Sequence, residues 1–148
     1  MYSLADLDQS KACEVPYRFE VTDEVTGKGT GIFLFVIGGQ AQVIQDFAMK
    51  VANERRVEEA MAEKRDPRRK KPRVIKAEDD VELSTELVAL RIVAWEGIHE
   101  EFSHENALKL CTTNLQIKQQ AYEASEDLKN FRMPFSTNSA STSGNQPG

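Results

Sequence analysis

The sequence predicts an α+β fold, mainly α: an N-terminal antiparallel β-hairpin followed by about four helices, with disordered ends. Three observations predict it. Tyr17, Phe19 and Val21 alternate with Arg18, Glu20 and Thr22, the period of a half-buried strand. After the glycine-rich DEVTGKGTG, the run IFLFVI has the β-branched and aromatic content of a second strand. Beyond Gly38-Gly39 the apolar residues recur at spacings of three and four, which is helical. The domain layout that follows is a flexible segment over 1–15, one α+β domain over 16–132 with a basic linker at 65–76, and a disordered tail over 133–148.

Residues 1–15 are polar and short of core-forming side chains, so they are expected to be flexible. In the hairpin, Gly27, Gly29 and Gly31 supply the backbone freedom that a tight connection needs. Ile32, Leu34 and Val36 alternate with Phe33, Phe35 and Ile37, so both faces of the second strand are apolar and each needs cover. From Gln40 to about Lys64, Ile44, Phe47, Ala48 and Val51 form one helical stripe, while the charged NERRVEEAMAEKR half is expected to project into solvent. Pro67 and Pro72 end regular structure.

AEDDVELSTELVALRIVAW opens with acids suited to a helix N-terminus and becomes almost wholly apolar, so it is expected to form one helix through Trp95 at the centre of the core. Leu83, Leu87, Leu90 and Ala94 make one stripe, and Val88, Ile92 and Trp95 another. Gly97 is expected to terminate that helix, and Ser103 to cap a short one over HENALKLC. A last helix runs from about Asn114 to Phe131 on the stripe Ile117, Ala121, Ala124, Leu128 and Phe131. From Pro134 the Ser/Thr/Asn/Gly-rich composition cannot bury enough apolar surface to offset ordering entropy.

The totals restrict the function classes. A length of 148 residues with 40% hydrophobic and 29% charged residues suits one soluble domain. The net charge of -5 argues against a surface built for nucleic acid or an anionic membrane. Cys13 and Cys111 match no disulfide or zinc spacing and are expected as free thiols. The start MYSLADLDQSK has no apolar signal region, and no window reaches the roughly 18 apolar residues of a membrane span.

Both histidines fall in IHEEFSHE, beside the H-E-x-x-H pattern of zinc peptidases. The spacing between His99 and His104 is five, however, which turns a helix through about 500° and leaves the two imidazoles roughly 140° apart. One helix cannot aim both at one ion, so the segment reads as a turn between helices and no metal or cofactor is expected. GKGTG leads into a strand rather than a helix and is a hairpin turn, not a phosphate loop. Ser103 beside His104 has no nucleophile elbow or orienting acid, so no catalytic residue is expected. The run KRDPRRKKPR at 64–73 carries seven basic residues and one acid; Arg68, Arg69, Lys70, Lys71 and Arg73 form a basic patch that is either a solvated linker or a dock for an acidic protein or phosphate.

With no catalytic constellation, an interaction protein is the expectation. The strand pair RFEVTDEVTGKGTGIFLFVIGG, the charged helix, the segment Ala94-Trp95-x-Gly97-Ile98, then Phe102-Ser103-x-Glu105-Asn106 and a final helix ending in Asn130-Phe131 resemble the tail assembly chaperones of long-tailed bacteriophages. The similarity covers residues 17 to 131 and includes no catalytic motif. The resemblance implies a non-enzymatic protein of the host cytoplasm that binds the hydrophobic helices of the tape-measure protein and helps recruit tail tube protein. It allows a homo-oligomer, with no membrane and no nucleic acid among the partners. The basic linker falls outside the resemblance. The apolar residues offered for partner binding are Phe33, Phe35, Ile37, Leu87, Leu90 and Trp95, each of which has plain core packing as its alternative use. Rival readings are a virion component, such as a head–tail connector or minor tail protein, and a metal-dependent enzyme built on His99 and His104.

Overall fold

The computed structural model describes residues 1–65 and 77–131. The expected basic linker past Arg65 and the expected tail over 133–148 lie outside the described residues. The elements follow in the order α1 (Gln9–Cys13), β1 (Tyr17–Thr22), β2 (Gly29–Val36), α2 (Gln42–Arg65), α3 (Ala77–Arg91), β3 (Ile92–Glu96), α4 (His104–Thr113), α5 (Leu115–Glu126) and a 3-10 turn at Leu128–Asn130. The three strands form one antiparallel sheet in the order β1-β2-β3. The α+β, mainly α class with an N-terminal hairpin is what the sequence predicts.

The hairpin turns where the glycines permit it. Gly27 and Gly31 have φ of 72° and 80°, values that a side chain rarely tolerates. The loop closes with the Asp23 N–H donating to Lys28 O at 2.8 Å and the Gly27 N–H to Asp23 O at 2.6 Å. Tyr17 then faces Val36 and Phe19 faces Leu34, which sets Tyr17, Phe19, Leu34 and Val36 on one side of the sheet. Helices α3, α4 and α5 pack against the sheet there, and Leu34 and Val36 are completely buried. Arg18, Glu20, Phe33 and Phe35 take the opposite face by alternation. On that face the Arg18 guanidinium lies 3.8 Å from the Phe33 ring centre and 3.4 Å from Glu96 Oε1.

The helix expected to run through Trp95 stops at Arg91, and Ile92–Glu96 is a strand. Trp95 pairs with Leu34, Ala94 with Phe35 and Ile92 with Val36 across a bulge. The cause is the unpaired edge of β2: residues 92–96 are rich in strand formers, and pairing there satisfies backbone groups that no other described strand reaches. Helical periodicity cannot distinguish the two outcomes in an apolar run this short. Gly97 accordingly ends a strand rather than a helix. Its φ is 83°, and a Cβ there would collide with the Gly31 carbonyl oxygen.

The expectation of a flexible segment over 1–15 is corrected at its end. Asp8 caps α1 by accepting from the Ser10 N–H at 2.9 Å, and Cys13 is fully buried in the core. Its carbonyl accepts from the Gly38 N–H at 2.9 Å, while Glu14 Oε1 accepts from the Gln42 N–H at 2.7 Å. Helix α2 has no acid in its own first turn, so the carboxylate of Glu14 serves its N-terminus from outside. The following 24 residues extend about 36 Å, and Ile44 is the only one of them in the fully buried core.

At the other end, Ser103 caps α4 as expected, accepting from the Asn106 N–H at 3.1 Å, and Asn114 caps α5 by accepting from the Ile117 N–H at 3.0 Å. The expected helix over 114–131 is shorter: it ends at Glu126, Asp127 restarts the chain as a 3-10 turn, and Leu128 is left exposed. Phe131 returns to the core against Tyr17, with ring centres 6.1 Å apart. Among the described residues, no helix is long and apolar enough to cross a membrane.

Candidate functional site

Helix α3 is apolar on two sides, and the core can use only one. Val88 and Ala89 are buried against α4 and α5, whereas Leu83, Leu87 and Leu90 are only partly covered. The uncovered side faces α2, which runs antiparallel to α3: Arg55 Nη2 reaches Asp80 Oδ1 at 3.0 Å, and Phe47 and Val51 share a hollow with Leu83 and Leu87. Ala48 and Ala52, one helical turn apart, lie along the same α2 side and are too small to fill it. The result is an open apolar groove of about 380 Å³. The Arg55–Asp80 pair crosses between the helices at its outer end.

The six residues offered for partner binding are dispersed. Leu87 lines the groove. Phe33 and Phe35 lie on the outer face of the sheet, half-buried, with Arg18 over Phe33. Ile37 is only 6% exposed, its N–H donating to Arg91 O at 2.8 Å and its carbonyl accepting from Ser125 Oγ at 2.6 Å, so it is core. Leu90 and Trp95 are half-buried and pack against that core. The Trp95 indole N–H donates to Glu100 O at 2.9 Å, and its ring meets the edge of Phe102 at 5.2 Å. Arg68, Arg69, Lys70, Lys71 and Arg73 lie outside the described residues.

Sequence reasoning assigned Phe47, Val51 and Leu83 to helix stripes, and so missed their place in the groove. The signal for it was the second apolar stripe on α3, since two stripes on one surface helix exceed what one contact can cover.

The segment IHEEFSHE is a clasp. His99 is exposed in a bend and His104 is exposed at the first turn of α4. Between them, Glu100 and Glu101 offer backbone carbonyls to Trp95 and to Asn106 Nδ2, the latter at 3.0 Å. Among the described residues, no three His, Cys, Asp or Glu side chains are grouped so as to hold an ion. Both thiols are free and buried, and burial pushes the Cys111 thiol up to about 11. Cys13 is raised by the same cause, against a hydrogen bond from the Gln40 backbone that lowers it.

Comparison with known proteins finds no matching family model, no similar curated protein and no similar solved structure.

Proposed function

We propose that this chain is a non-enzymatic tail assembly chaperone of a long-tailed bacteriophage, acting in the host cytoplasm. It holds the hydrophobic helices of the tape-measure protein until tail tube subunits assemble around them. The observation that carries this reading is the open groove of Phe47, Val51, Leu83 and Leu87 on a strongly charged chain. An apolar trough between two antiparallel helices suits an amphipathic helix, which can lay its apolar stripe into it. The reading also rests on the resemblance carried by the Trp95 to Asn106 segment, in which the Trp95 and Asn106 side chains donate to the Glu100 and Glu101 carbonyls.

Co-expression with the phage's tape-measure protein tests the proposal. The expected result is a soluble tape-measure protein that co-purifies with this chain, and no copy of the chain in finished particles. A tape-measure protein that stays insoluble and forms no complex sinks the reading. Recovery of the chain from purified virions transfers it to the structural components.

A further inference from the structure

The charges around the groove say which helix it takes. Beyond Asp80, which is paired with Arg55, the charged residues of α3 up to Leu90 are Glu82 and Glu86, and its one base, Arg91, is 4% exposed and held by Glu126 and Ser125. Glu82 and Glu86 immediately precede Leu83 and Leu87, so they stand about 100° around the axis from the groove wall, at its rim. On α2, the Arg55 side chain that reaches into the groove is already neutralised by Asp80. The rest of this stretch of α2 is mixed in charge, with Lys50, Glu54 and Arg56 exposed, so the acidic border is the one that α3 supplies. An apolar trough with an acidic rim favours a partner whose apolar stripe is bordered by bases and repels one bordered by acids.

The floor adds a shape constraint. Ala48 and Ala52 leave α2 smooth over one turn, which lets a second helix axis approach more closely than larger side chains would. From Phe47 to Arg55 the groove spans about 12 Å along α2, room for about two helical turns of a partner. We propose that the α2–α3 groove is a docking site for a short amphipathic helix with a Leu-type stripe flanked by Lys and Arg. This inference rests on the chaperone reading for its biological partner, though not for its chemistry.

The probes are two synthetic peptides of about five helical turns with the same leucine stripe at i, i+3, i+4 and i+7, one with lysine flanks and one with glutamate flanks. Fluorescence anisotropy with the full chain should show the lysine peptide binding at least about tenfold tighter, with a gap that narrows as salt rises. The double variant Glu82→Lys, Glu86→Lys changes only rim positions, and it should reverse the preference. Leu83→Glu should abolish binding, with circular dichroism reporting whether it stays folded. Equal binding of both peptides, binding of neither, or a preference that survives the double reversal overturns the proposal. So does a chain that sediments as a dimer and that Leu83→Glu converts to a folded monomer, since the groove then belongs to a second copy. If the lysine peptide binds and tape-measure protein is not solubilised, the groove assignment stands and the chaperone reading falls. If neither peptide binds and tape-measure protein is solubilised, the groove assignment falls and the chaperone reading stands.

Discussion

Arg91 and Ser125 are joined inside the protein: the guanidinium Nη1 donates to Ser125 Oγ at 3.1 Å. The same hydroxyl donates onward to the Ile37 carbonyl at 2.6 Å. One small side chain on α5 therefore ties the last residue of α3 to the residue that follows β2. Glu126 Oε1 completes the arrangement at 3.2 Å from Arg91, and a Cβ on Gly39 would crowd both charged groups. Ser125 is fully buried, so neither of its partners can turn to water instead.

Ser125→Ala should consequently cost about 2–3 kcal/mol, because it strands a buried carbonyl and leaves Arg91 Nη1 with Glu126 alone, beside an Nε that already lacks an acceptor. In a domain of this size that is a fall in Tm on the order of 5–10 °C. Thermal unfolding followed by circular dichroism measures it; a Tm within a degree of wild type would show that the hydroxyl contributes nothing to stability.

Gly97 and Gly31 separate two costs of adding a side chain. Both have positive φ, yet a Cβ on Gly31 meets nothing within 4 Å, whereas one on Gly97 strikes the Gly31 carbonyl. Gly31→Ala should cost about 1–2 kcal/mol from backbone conformation alone. Gly97→Ala should cost clearly more, and chemical denaturation of the pair tests the order. Equal losses would mean that the strand end relaxes to admit the methyl group.

Trp95→Ala should destabilise the chain by roughly 2–3 kcal/mol, below the full loss for a completely buried ring because Trp95 is only half-buried. A double-mutant cycle with Phe102→Leu should reveal a coupling of about 1 kcal/mol from the edge-to-face contact. Additive losses would remove Phe102 as the partner that fixes the indole.

Cys111 makes a prediction about alkaline stability. Burial keeps its thiol protonated in the folded chain up to about 11, against an ordinary value of 9.0 once unfolded. Between those values the unfolded chain has lost a proton that the folded one keeps, so stability is full below pH 9 and falls as the pH rises through that window. Urea midpoints from pH 8 to 11 should decline in wild type and decline less in Cys111→Ala. At pH 8 both thiols should react with an aromatic disulfide reagent much more slowly in the native chain than in urea, because each is buried.

How far the sequence revealed this fold varies by element, for physical reasons. The hairpin, α2, the Ser103 cap and the start of α5 near Asn114 were legible because alternation, spacing and cap chemistry are local signals. Strand β3 was not, because Ile92 to Trp95 reads as the continuation of an apolar helix until a vacant β2 edge is known to lie beside it. Helix α1 was hidden by its shortness: its anchor is the contact of Cys13 with the turn at Gly38, and that contact is nonlocal. Of the site, Leu87 was foreseen, while the groove as a shape needed the antiparallel register of α2 against α3, which only Arg55 and Asp80 hint at through their opposite charges.

The Gln120 side chain on α5 has an effect that concerns assembly. Its carbonyl oxygen accepts the Thr22 N–H at 2.9 Å, and its amide nitrogen donates to the Thr22 carbonyl at 2.8 Å, imitating one residue of an added strand at the β1 edge. An endless stack of such sheets needs two adhesive borders, so that β1 of one molecule can receive β3 of the next. With the β1 border occupied at Thr22, strand-to-strand contact between copies is biased toward β3 meeting β3. That pairing closes on itself after two molecules and cannot grow into a fibre.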